Sequence, residues 1–72
     1  MKITLWNTDK MVVLNGVQTR VWEGKTESGI PVHAFIVRVA APIGTDDQFA
    51  AELEETRAPS AEVAAYPARM VL

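Results

Sequence analysis

Asn15-Gly16 stands between two runs rich in β-branched residues, Lys10–Leu14 and Val17–Glu23, and constrains the fold more than any other feature of this 72-residue chain. A type I′ turn needs positive φ at both central residues, which Asn and Gly tolerate and most residues do not. A two-residue loop also sets the register, pairing Leu14 with Val17, Val13 with Gln18, Val12 with Thr19 and Met11 with Arg20. One face of the hairpin then shows Val12, Leu14, Val17, Thr19 and Val21. The other shows Met11, Val13, Gln18, Arg20 and Trp22.

Residues 2–6 alternate and read as an earlier strand, separated from the hairpin by the turn chemistry of Asn7-Thr8-Asp9. Residues 24–29 read as an exposed polar loop, and Pro31–Ala40 as a further strand with His33, Phe35, Val37 and Val39 on one face. Both faces of such a sheet are largely apolar, whereas an antiparallel sheet usually leaves one face solvated and polar. The composition then shifts toward Ala and Glu. Thr45 and Gln48 fit a capping box, with Asp46 and Asp47 favoured by the helix dipole. Phe49 and Leu53 give that helix a narrow apolar stripe, expected to cover the Val12/Val17/Val21 face. Pro59 interrupts it, and Ser60 can cap a short second helix to about Tyr66. The expected architecture is α+β over one domain, residues 1–72: an antiparallel β-meander of three to four strands (1–40), one amphipathic helix and a short second helix (45–66), and a terminal strand or tail (68–72). Phe35, Val37, Val21, Leu14, Phe49 and Leu53 are the expected core.

Several functions are excluded by residue type. The chain has no cysteine, which removes disulfide scaffolds, thiolate metal sites and cysteine nucleophiles. A core of this size supplies only about 3–5 kcal/mol, so self-association, most simply a homodimer, is expected. Apolar runs fall far short of the roughly 18–20 residues that span a bilayer, and the N-terminus lacks a signal-peptide core. The expected location is the cytoplasm, without membrane attachment.

The catalytic inventory is thin. His33 is the single histidine; a working role would need a carboxylate to orient it, with Glu23 and Glu27 closest in sequence, and a locally bonded sheet histidine is the simpler reading. Gly24-Lys25-Thr26 fails as a phosphate loop because the first glycine of that motif would fall on Thr19. The carboxylates of the second half lack the alternation and central glycine of a calcium loop. No enzyme activity, metal or cofactor is expected. Trp22, Arg20, Met11 and Gln18 share one sheet face, and Trp and Arg dominate protein-binding hot spots. Glu52 and Glu55, three apart on the helix, offer an acidic surface to a basic partner. These six residues form the expected protein-binding set. Residues 1–40 carry a net +2 and residues 41–72 a net −4, so a nucleic-acid ligand stacking on the sheet tryptophans is the alternative. The basic residues form no stripe, however.

The stretch Arg20-Val-Trp-Glu-Gly-Lys-Thr-Glu-Ser-Gly-Ile-Pro-Val-His-Ala-Phe-Ile-Val-Arg38 resembles small accessory proteins encoded by bacteriophages and prophages of proteobacteria. The segment Arg57-Ala-Pro-Ser-Ala-Glu-Val-Ala-Ala-Tyr-Pro-Ala-Arg-Met70 is similar to their C-termini. The resemblance covers about half of the chain and implies a setting in which small proteins bind and block host proteins, components of host defence among them. The function expected is therefore binding of a host protein; a structural part of a virion is a further alternative.

Overall fold

Asn15 and Gly16 both take positive φ, 50° and 81°. The hairpin they close joins β1 (Ile3–Leu14) to β2 (Val17–Thr26) in the computed structural model, which describes residues 1–72. The register from Leu14↔Val17 to Met11↔Arg20 is the one a two-residue loop dictates. Beyond it, Asn7 pairs with Trp22, so Thr8, Asp9 and Lys10 all stand opposite Val21. Asn7-Thr8-Asp9 is therefore not a turn between two strands, as its composition suggests, but part of a bulge inside one long strand. The Thr8 hydroxyl explains why the strand survives: it donates to the Val21 carbonyl at 2.7 Å and accepts from the Lys10 N–H at 3.2 Å. Because the bulge adds two residues, the in-out alternation stays in phase on either side of it.

β3 (Pro31–Ile36) pairs antiparallel with β2 from Lys25↔Pro31 to Arg20↔Ile36. It ends four residues earlier than its composition suggests. The exposed loop is also shorter than expected, because β2 continues to Thr26 and only residues 27–30 connect it to β3. Gly24 is buried inside β2, where a Cβ would collide with the Thr4 carbonyl oxygen. The glycine permits this close crossing of β1 and β2.

Two helices and a short strand follow: α1 (Asp46–Glu54), α2 (Ala61–Ala64) and β4 (Arg69–Met70). The strand order is β3-β2-β1-β4, with β4 parallel to β1 through Val13↔Arg69 and Leu14↔Met70. The fold is α+β with a mixed sheet: a three-stranded antiparallel meander carrying a parallel fourth strand, so it is not a pure meander. Thr45 does not form the expected capping box; its hydroxyl donates to the Pro42 carbonyl at 2.7 Å instead. Ser60 does cap α2, accepting from the Val63 N–H at 3.3 Å.

Val12, Val21 and Val63 are the fully buried apolar residues, with Phe35, Tyr66 and Met70 packed around them. The face bearing Val12 and Val21 is thus covered by α2 and not, as expected, by α1. Residues 55–59 make this possible by crossing the outer edge of β1. There the Arg57 N–H donates to the Asn7 carbonyl at 3.0 Å, and its guanidinium lies 4.4 Å from the centre of the Trp6 ring. Of the expected core, Val21 is buried and Phe35 packs against it, while Leu14, Phe49 and Leu53 are half-buried. Val37 is 67% exposed, because it lies just past the end of β3, where pairing with β2 no longer fixes which side it faces.

Candidate functional site

The register places Ile3, Leu5, Asn7, Met11 and Val13 of β1 on the same face as Gln18, Arg20 and Trp22 of β2 and Val32, Ala34 and Ile36 of β3. Trp6, opposite Glu23, lies on the other face, so the two tryptophans do not cover one another. The C-terminal end of α1 is moored over the Trp22 face by one carbonyl. Leu53 O, which lies in the last helical turn and lacks an intrahelical donor, accepts from Asn7 Nδ2 at 2.9 Å and from Arg20 Nη1 at 3.4 Å. A cation at this end of the helix also meets the negative end of its dipole.

Between this mooring and the end of β3 lies an open groove of about 600 Å³. Arg20, Trp22 and Ile36 come from the sheet, Val37, Arg38 and Val39 from the segment that follows β3, and Leu53 and Glu54 from α1. Asp9, from the bulge, and Thr56 complete the lining. The groove joins an apolar surface that includes an indole to two guanidinium groups and two carboxylates. Such a surface can hold an amphipathic peptide, with the aromatic ring giving contact area at little entropic cost.

Among the expected binding residues, the structure brings Arg20 and Trp22 together in this groove. Met11, 38% exposed, and Gln18 share the face but lie toward the hairpin tip, outside the groove. Glu52 on α1 and Glu55 just past its end are both exposed, and it is Glu54 that lines the groove. Asp9, Arg38, Val37 and Val39 were hidden from sequence reasoning for one reason. Their placement depends on a bulge and on an early strand end, neither of which the residue pattern marks.

On the opposite face, His33 sits across from Glu23, but its orienting partner is a phenol. His33 Nδ1 and the Tyr66 hydroxyl are 2.8 Å apart, and the two rings meet edge to face. Glu23 Oε2 accepts from the Ser60 N–H at 2.7 Å. Partial burial works to raise the Glu23 carboxyl, but the Ser60 hydroxyl and N–H, with His33 nearby, outweigh it and hold the group below its ordinary value. These four residues pin the α2 segment to the sheet. No three histidine or carboxylate side chains gather where they could share a metal ion. No helix is long and apolar enough to cross a membrane. Comparison with protein-family models, with curated proteins and with solved structures returns no match.

Proposed function

We propose that this chain is a non-enzymatic accessory protein of the phage or prophage type that acts by binding a host protein, with the Arg20/Trp22 groove as the binding surface. The observation that supports this reading is the convergence of Trp22, Arg20 and Arg38 with the apolar side chains of Ile36, Val37 and Leu53 in one open groove. Trp and Arg are the residue types that carry most binding energy at protein interfaces, above all where apolar neighbours exclude water around them. The resemblance of Arg20–Arg38 to phage and prophage accessory proteins supplies the host setting, in which blocking a defence component is one use of such a surface.

The test compares wild type with Trp22→Ala by affinity capture from nuclease-treated bacterial lysate. The expected outcome is a stoichiometric host protein retained by wild type and lost from the variant, with the far-ultraviolet circular dichroism of the two chains the same. Equal retention by both would remove the groove from the reading.

A nucleic-acid ligand is the second reading, favoured by Arg20 and Arg38 lining the same groove as Trp22. Phosphate contacts would make its affinity fall steeply with salt. Absence of retention on DNA or RNA at low salt would end it.

A further inference from the structure

We propose that two copies of this chain pair antiparallel through β3, building a continuous eight-stranded sheet centred on Ala34. The inference does not rest on the host-binding reading: it is carried by the backbone of the sheet edge, although Ile36 and residues 37–39, at and just past the end of β3, also line the groove.

The chain exposes more surface than a folded unit of its mass should. Its accessible area is 5390 Å², about 1,000 Å² above the roughly 4,400 Å² typical of a compact monomer this heavy. Its radius of gyration of 13.1 Å likewise exceeds the roughly 11 Å typical of a compact 72-residue domain. A stable dimer removes about 800 Å² from each partner, so the surplus is of the size one self-contact would cover. A second copy is also the one partner always present while the chain folds, and Val12, Val21 and Val63 are a slender core for folding alone.

β3 ends the sheet and, past Pro31 at its first position, has none of the devices that keep an edge solitary. No lysine, carboxylate or bulge interrupts it from Val32 to Ile36, and such an edge templates pairing. The backbone pattern then selects a register. Thr26 N donates to Ile30 O, which makes 26 and 30 a hydrogen-bonded pair and, by alternation, turns the N–H and C=O of Val32, Ala34 and Ile36 toward β2. Those of His33 and Phe35 therefore point outward, and no backbone bond outside the helices and strands reaches either residue. Pro31 has no N–H to give. A pairing centred on His33 would set Pro31 against the partner's Phe35 and leave that carbonyl without a donor. Centring on Ala34 sets His33 against the partner's Phe35 and gives the N–H and C=O of both residues partners within β3 in each chain. Val32 then meets the partner's Ile36, and the two Ala34 residues form a close, non-hydrogen-bonded pair.

That close pair gives the test. Opposed residues of this kind have Cα atoms about 4.5 Å apart, within the range a disulfide spans, and the chain has no other cysteine. Wild type should show twice the chain mass by light scattering at micromolar concentration. Ala34→Cys should oxidise to a covalent dimer at least about tenfold faster than Ser28→Cys in the β2–β3 turn, because a specific contact raises the effective thiol concentration. Monomeric mass at all concentrations would overturn the proposal and leave the edge open to a strand of another protein. A dimer by mass in which Ala34→Cys cross-links no faster than Ser28→Cys would overturn it too, by putting the contact elsewhere.

Discussion

Thr8 shows how one hydroxyl can decide the course of a strand. It is fully buried, and its bonds to the Val21 carbonyl and the Lys10 N–H stand in for ladder bonds that the bulge removes. Thr8→Val keeps the shape and deletes the donor, leaving a buried carbonyl without a partner. The expected cost is about 1–3 kcal/mol, measurable by urea denaturation. Loss of less than half a kcal/mol would mean that water or a backbone shift repairs the site. The Asn-Gly turn was legible in the sequence because its signal is local and its consequence obligatory. Thr8 was not, because Asn-Thr-Asp has the same composition whether it makes a turn or a bulge. Gly24 belongs with Thr8: its reason for being glycine is the Thr4 carbonyl, which lies on another strand.

Among the elements, the two helices exchange the roles that their lengths suggest. α1 spans nine residues and buries none of them, whereas α2 spans four and supplies Val63 to the core. Amphipathic spacing identified Phe49 and Leu53 but could not say which face they would meet. Residues 55–59 decide that by crossing the edge of β1, and Pro59 marks a break without marking a direction. The energetic consequence is an inversion of the usual helix ranking. Val63→Ala should cost about 2 kcal/mol through lost burial and an unfilled cavity. Phe49→Ala, at a half-buried position, should cost less than half of that. Thermal unfolding of the two variants checks this, and a larger loss from Phe49→Ala would show that α1 is the better-packed helix.

For the molecule as a whole, acid stability should report the junction between α2 and the sheet. Glu23 has its carboxyl held below the ordinary value of 4.5 by Ser60 and His33, against the opposing effect of burial. As pH falls, the unfolded chain takes up this proton before the folded chain does. The contribution is therefore complete above pH 4.5 and is lost as pH drops through the lower folded value. Denaturation profiles between neutral and acid pH should steepen below that point, and Glu23→Gln should flatten the acid limb. An unchanged slope in Glu23→Gln would detach Glu23 from the stability of the fold. At this scale the α+β class and the run of strands before helices were legible in the sequence. The parallel β4 and the groove were not, because both arise from contacts between residues more than thirty positions apart.

The strap formed by residues 55–72 has one more consequence. It occupies the outer edge of β1 twice, at Thr8 through Arg57 and at Val13–Leu14 through β4, and Leu72 N ties the chain end to Asn15 Oδ1 at 2.7 Å. A sheet occupied along much of one margin extends more readily from the other. Pairing through β3 would then exhaust the free margins of both copies, and growth would stop at two by closed symmetry. Were both margins open, the same apolar strand would invite addition without end, the route by which flat sheets become fibres. On that pairing the C-terminal segment would limit assembly as well as cover the core.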